Sequence, residues 1–419
     1  MKLAFLLHLY QPITQEETVF KQVYTECYAP LLKFIKNKKN VHFTLNVPLS
    51  LLELMDSYGH SEWINDLKDL YVHDRVELVG CAAYHPLLTK IPQDYVEKQI
   101  ILNEYGLGYY LGAHQGFEGE SVLMLKNVRG FFPPELAVDS AVLKTVNSFG
   151  YDWILADETA VPWEIRLERS KSDAYSIYDS EMRLVVRDRD LSNLISFKRT
   201  TDMQDVSAYI DKIRTTESAV VVALDGELFG HHYKEGIYML ESLVEMLSAR
   251  NIDILTVSDA MDYMNFKELP KILESTWGAS DSQMEQGNIY PYWDIKGNNL
   301  QKLLWNLEKL LISTSLGAIA NVDLSEYTTV AVWKDSALQE IQDKKVADTL
   351  HNTVLLLKFM NSDKYWWASG QILPNGDKLY HPGMITASLD IALLLAQTLD
   401  DSKVGEEITE KLQDIKFIL

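Results

Sequence analysis

Six short apolar runs, several of them followed by polar residues and separated by helix-like stretches, constrain this chain more than any other feature. They lie at residues 3–9, 41–46, 76–82, 153–157, 219–224 and 252–257. Runs that are mostly apolar, as at 3–9 and 219–224, mark strands buried on both faces, as in a parallel sheet. Between them, residues 48–58, 61–72, 92–111 and 140–149 carry apolar side chains three and four apart, the spacing of a helix with one buried face. Strand–helix alternation of this kind predicts an α/β fold, and six or seven strands point to a barrel. A doubly wound open sheet is the structural alternative, but no Gly-x-Gly-x-x-Gly follows the first run, which weakens its nucleotide-binding version.

Residues 175–188 partly alternate and predict a hairpin or edge strand inserted over the barrel. Beyond residue 264 the strand signal fades, and residues 299–312, 346–360, 382–399 and 403–418 have helical spacing. The organisation expected is a catalytic barrel over 1–263 and a C-terminal helical domain over 264–419. Within the latter, residues 277–293 are rich in Gly, Ser, Tyr and Trp and read as a structured loop.

Charge narrows the partners. Against 39 Lys and Arg stand 60 Asp and Glu, a formal net charge of -21. Such a surface repels nucleic acid and anionic lipid but is indifferent to a neutral substrate. Cys27 and Cys81 are the two cysteines, too few for a disulfide framework and consistent with a reducing cytoplasm. The LAFLLHLYQP start imitates a signal peptide only briefly, and no apolar stretch is long enough to span a bilayer, so neither export nor a membrane partner is expected. Nothing in the pattern speaks to oligomeric state.

Polar residues just after parallel strands gather at the carboxyl end of a barrel, where sites are built. His8 and Gln11 follow the first run. Glu77, Tyr84 and His85 lie in or after the third, and Asp157 ends the WILAD run. Asp225 and Glu227 close AVVVALDGE, where two residues of spacing would put both carboxylates on one face if the strand continued. Glu135 follows Phe131-Phe132-Pro133-Pro134, and two prolines favour an extended path just before it. A strand-terminating Asp-Gly turn, or a surface Glu near a helix start, would give the same local patterns. Together, however, two strand-end carboxylates are what glycosidic bond cleavage requires. Aromatic platforms for sugar rings are available in Trp277, Tyr290, Tyr292, Trp293, Tyr365, Trp366 and Trp367. No Gly-x-Ser-x-Gly, Walker loop, His-x-x-x-His or Cys cluster is present, so no metal and no cofactor is expected.

The ordered segments LLHLYQP, VELVGCAAYHPLLTKIP, RGFFPPELAVDSAVLKTVNSFGYDWILAD and VVALDGELFGHH resemble glycoside hydrolase family 57. That resemblance implies a (β/α)7-type barrel with a C-terminal helical domain, and retention of configuration through a covalent glycosyl–enzyme intermediate. It implies Glu135 as nucleophile and Asp225 as general acid/base. It also implies substrate contacts from His8, Gln11, Glu77 and Trp366, to which the residue reading adds Tyr84, His85, Asp157, Glu227 and Trp277. One departure is Tyr10, where the family's first motif carries a second His. The expected activity is cleavage or transfer of α-linked glucan or maltooligosaccharide, of α-amylase or 4-α-glucanotransferase type. The rivals are a carbohydrate-binding pseudoenzyme and a metal-dependent polysaccharide deacetylase on a similar barrel.

Overall fold

The computed structural model describes residues 1–111, 128–177, 180–198, 203–315, 322–327, 330–372, 376, 378–398 and 402–419. Its strands are β1 (Lys2–His8), β2 (Phe43–Asn46), β3 (Val76–Val79), β4 (Gly130–Phe131), β5 (Trp153–Ala156), β6 (Asp173–Ile177), β7 (Arg183–Val186), β8 (Ala219–Asp225), β9 (Asp253–Leu255) and β10 (Asn265–Leu269).

One sheet runs β3-β2-β1-β8 with every pairing parallel. In the other, β5 pairs in parallel with both β4 and β7. Two joints close them into one circuit. Gly80, just past β3, bridges Phe131 in parallel, and the Phe132 N–H donates to the Gly80 carbonyl at 2.8 Å. On the far side the Asp188 N–H, just past β7, donates to the Val221 carbonyl of β8 at 2.7 Å. The circuit β1-β2-β3-β4-β5-β7-β8 is therefore a parallel barrel of seven strands, as the resemblance implied. Closure leaves no parallel edge unpaired within the barrel wall.

Side chains alternate across this wall. Ala4, Leu6, Val79, Cys81, Trp153, Leu155, Val185, Val221 and Ala223 form the buried interior. Val257, Ala260 and Met261, on the short helix Val257–Met261, join the same cluster and plug the barrel's amino end. The Trp153 indole donates to Ser258 Oγ of that helix at 2.9 Å. β9 pairs only with Lys2–Ala4 of β1, whereas β2 pairs with Leu6–His8. The run at 252–257 is thus a wedge between the diverging starts of β1 and β2 rather than a further stave.

Two expectations are corrected. The segment 175–188 is not an insertion over the barrel. Its first half is β6, antiparallel to β7, but β7 is itself a barrel stave. Leu184, Val185 and Val186 are all buried, so no alternation announces a two-sided strand of four residues. β10 pairs in parallel with β6, beyond the point where the strand signal fades. Only Leu269 of its five residues is buried, which leaves no apolar run to read.

The helices Asn299–Ser315, Lys344–Phe359, Pro382–Thr398 and Ser402–Ile418 pack against one another. Lys344–Phe359 also docks on the barrel's outer layer: Lys358 pairs with the buried Glu53 at 2.9 Å, and the Gln99 amide donates to the Leu357 carbonyl at 2.9 Å. The turn after this helix reaches back to the barrel mouth, where the Ser362 N–H donates to the His85 carbonyl at 3.0 Å. Among the described residues no helix is long and apolar enough to cross a membrane.

Candidate active site

The site lies at the carboxyl ends of the strands. His8 and Asp225 are the last residues of β1 and β8 and are register partners. His85 and Glu135 follow β3 and β4, and both adopt left-handed backbone, with φ of 56° and 58°. That conformation costs a non-glycine residue on the order of 1–3 kcal/mol, so the surroundings must impose it. At Glu135 the cause is visible. The Pro133-Pro134 entry is stiff, Val138 bridges Ser275, and the Trp277 N–H donates to the Glu135 carbonyl at 3.0 Å. The strand-like segment 275–277 therefore pins the turn from outside the barrel.

The same tryptophan reaches the Glu135 side chain. Its indole Nε1–H donates to Oε2 at 2.7 Å, and the Ser362 hydroxyl reaches Oε1 at 3.3 Å. His85 Nδ1 lies 3.1 Å from Ser362 Oγ, which makes a relay His85 to Ser362 to Glu135. Burial holds the His85 pKa well below its usual range, so its 3.8 Å approach to Glu135 is not an ion pair near neutrality. Burial likewise lowers His8 to about 4. The neutral His8 ring carries its proton on Nδ1, toward Asn46 Oδ1 at 2.6 Å, leaving Nε2 as an acceptor. Phe132, His8, His85 and Tyr10 form one near-parallel array, with Tyr10 and His85 centroids 4.0 Å apart. Tyr10, in place of the family His, donates its hydroxyl to Asp363 and its backbone N–H to Glu227 Oε1 at 2.9 Å.

Four carboxyl groups share this space. Burial, then the charges of Asp363 and Asp225, raise Glu135 to about 8. Asp225 is exposed at the mouth yet ringed by protein, and burial raises it to about 6 against the opposing charge of Arg187. Burial raises Asp363 to about 6, and burial with the Asp225 charge raises Glu227 to about 8. Like charges so close cannot all ionise, so the cluster retains protons at neutral pH. A sugar lying over Asp225 would strip its water and push it higher. Positive charge developing at an anomeric carbon beside Glu135 would pull that group lower. Both shifts favour an ionised Glu135 and a protonated Asp225.

Other expected site residues lie behind the mouth or elsewhere in the barrel. Glu77 sits at the closed end of the barrel, with its carboxylate accepting from Thr44 at 2.6 Å and from Ser258. It is the second residue of β3, so it points into the barrel at the amino end, away from the mouth. Tyr84 turns into the core, where Lys358 lies 5.4 Å from its ring centre, while the next residue, His85, faces the site. Asp157 is fully buried and anchors Arg187 at 2.7 Å and Arg189 at 2.8 Å. It serves the mouth indirectly, because Arg187 stands beside Asp225 and lies 5.4 Å from the Trp277 ring centre. Glu227 does not share a strand face with Asp225. The strand ends at Asp225 and a tight turn over Gly226–Leu228 turns Glu227 inward to the Tyr28 hydroxyl. Gln11 lies behind it, bonded to Gln15 at 2.7 Å. Trp366 is half-buried against Tyr292 and Trp293, whereas Tyr290, Trp293 and Tyr365 are core residues.

Sequence reasoning missed Ser362, Asp363, Arg187 and Tyr28. The first two lie in NSDKYWW, where an acid precedes three aromatic residues, a signal that was available. Arg187 directly follows a strand that was not read as a stave. Among the described residues no three His, Cys, Asp or Glu side chains stand together as a metal site would need.

Residues 4–273 match the family model described as Glycosyl hydrolase family 57. The chain is 25% identical over 234 residues to an alpha-amylase of Pyrococcus furiosus, covering 54% of this chain and 33% of that protein. It is 23% identical over 274 residues to a 4-alpha-glucanotransferase of Thermococcus litoralis, covering 61% of this chain and 38% of that one. The chain thus spans about a third of the length of these relatives. Among solved structures, a GH57-type branching enzyme from Pyrococcus horikoshii superposes with a TM-score of 0.64 at 15% identity, covering 98% of this chain and 94% of that one. The Thermococcus litoralis 4-alpha-glucanotransferase gives 0.64 at 17% identity, over 96% of this chain and 59% of that chain.

Proposed function

The chain belongs to glycosyl hydrolase family 57, and from that premise we propose that it cleaves or transfers α-linked glucan chains with retention, using Glu135 and Asp225. In the first step the Glu135 carboxylate attacks the anomeric carbon as the glycosidic C–O bond breaks. Asp225 gives its proton to the departing oxygen. In the second, Asp225 takes a proton from water or from a sugar hydroxyl, whose oxygen displaces Glu135. Water as acceptor gives hydrolysis; a sugar gives transfer. The observation that carries this reading is the placement of Glu135. A left-handed backbone and two donors, Trp277 and Ser362, aim its carboxylate into the mouth, within the field of Asp225. Asp157 and Arg187 then act as a brace for Asp225, and His8 offers its free Nε2 to a sugar hydroxyl. Both cysteines are free and buried, which supports a cytoplasmic setting.

Incubation with a maltooligosaccharide series tests the proposal. Shorter products alone indicate hydrolysis, and longer and shorter products together indicate transfer. In either case the products must vanish in Glu135→Gln and Asp225→Asn. Binding without turnover in the native chain would instead identify a carbohydrate-binding module, and no change in any sugar with no binding would discard α-1,4-glucan.

A further inference from the structure

We propose that Trp163 forms a distal subsite that stacks a glucosyl ring of a longer chain, well away from the bond being broken; this rests on the glucan reading above. Trp163 opens the short helix Trp163–Arg166, which follows β5 at the carboxyl face of the barrel, the face that holds Glu135 and Asp225. Its side chain is 52% exposed, unusual for the largest apolar residue, and one turn on Leu167 is exposed as well.

Exposure alone would be unremarkable; rigidity makes the ring a platform. The Arg166 guanidinium lies 5.1 Å from the Trp163 ring centre and is itself held by Asp281 at 2.7 Å. The helix is thus tied to the segment that carries Trp277. A second tie precedes it, where the Leu273 N–H donates to the Ala160 carbonyl at 2.8 Å. Both ends of the stretch 160–166 are therefore fastened to residues 273–281, whose centre pins Glu135. From Trp277 to Asp281 the backbone can span at most about 14 Å, which keeps Trp163 within a few sugar units of the nucleophile, while the side chains that touch the Glu135 carboxylate are those of Trp277, Ser362 and His85.

A guanidinium beside an indole leaves much of the ring open to a partner with an apolar C–H face and hydroxyls at its rim. A pyranose has that shape, and Arg166 and the nearby Glu164 can meet its hydroxyls. A short oligosaccharide filling only the mouth would not reach this ring. Trp163 would therefore act on chain-length preference.

The test is calorimetric titration of the full chain carrying Glu135→Gln with maltotriose and with maltoheptaose, alone and with Trp163→Ala or Trp163→Phe. Stacking of this kind predicts that Trp163→Ala lowers the ratio of maltoheptaose to maltotriose affinity by about three- to tenfold, with Phe retaining part of it. Because Trp163 is exposed, thermal unfolding of the variants should match their parent. An unchanged ratio, with both sugars bound as before or weakened equally, overturns the subsite while leaving the glucan reading intact. Failure of the Glu135→Gln parent to bind either sugar overturns both.

Discussion

Removing one proton donor should rearrange the pH dependence of the whole site. In Trp277→Phe the ring survives but the Nε1–H bond to Glu135 Oε2, 2.7 Å long, is lost. A hydrogen bond to a charged acceptor is worth about 1.5–3 kcal/mol, or about one to two pKa units at 1.36 kcal/mol each. The bond favours the ionised form, so its loss raises Glu135 further above about 8. With Glu135 at about 8 and Asp225 at about 6, the productive pairing of ionised Glu135 and protonated Asp225 is a minor form of the free protein. Its population is flat between the two pKa values and falls on either side, so kcat/KM should break near pH 6 and again near pH 8. In Trp277→Phe the plateau should drop about 10- to 100-fold. The alkaline break should move up by about one to two units and the acidic break stay put. Initial rates on one maltooligosaccharide, measured from pH 4 to 10, read all three. Movement of the acidic break instead would mean that Asp225 is the higher of the pair, and an unmoved profile would mean that the Trp277 bond does not tune Glu135.

Two more outcomes concern the scaffold. Burial raises Glu104 to about 7 from an ordinary 4.5, so the folded protein holds a proton that the unfolded chain releases. Stability should therefore fall by about 3 kcal/mol as pH rises from about 4.5 to about 7, and Glu104→Gln should remove that slope in urea titrations at pH 5 and 8; an unaltered slope would place the titration elsewhere. Lys364 is fully buried, donating to Glu308 at 2.8 Å, to the Phe359 carbonyl at 2.5 Å and to the Asn361 carbonyl at 2.8 Å. Lys364→Met strands the Glu308 charge and should cost about 3–5 kcal/mol, part of which returns on adding Glu308→Gln. It should also lower kcat, because the same turn carries Ser362 and Asp363; equal stability of the single and double variants would refute the pairing.

Much of the barrel was legible because parallel strands buried on both faces leave apolar runs, nearly unbroken in the staves β1, β5 and β8 and interrupted by Thr44 and Asn46 in β2 and by Glu77 in β3. β4 is two residues long, too short for a pattern, and β7 lies within the partly alternating segment 175–188, which reads as a hairpin or edge strand, although the RGFFPPE and RDRD segments around them carry Glu135 and Arg187. Strand-end logic located Asp225 and His8 because those residues terminate long strands. It misplaced Glu77, whose position at the start of β3 sends it to the closed end of the barrel. It could not find Asp363, which reaches Tyr10 across 353 residues from a turn in the helical region. A contact of that kind depends on how two parts of the chain dock, and no local period encodes it. The left-handed backbone at His85 and Glu135 was equally silent, because it is uncommon for any residue but glycine, more so for Glu than for His, and tertiary contacts impose it.

The most direct test of Glu135 as nucleophile is to trap the intermediate. A fluorinated α-glucosyl fluoride should glycosylate the attacking carboxylate quickly, with loss of the anomeric fluoride, and the resulting glycosyl ester should hydrolyse slowly, so that peptide mass spectrometry would locate the sugar. The label is expected on Glu135, at one equivalent per chain, and absent from Glu135→Gln. A label on Asp225, Asp363 or Glu227, or full turnover by Glu135→Gln, would contradict the assignment.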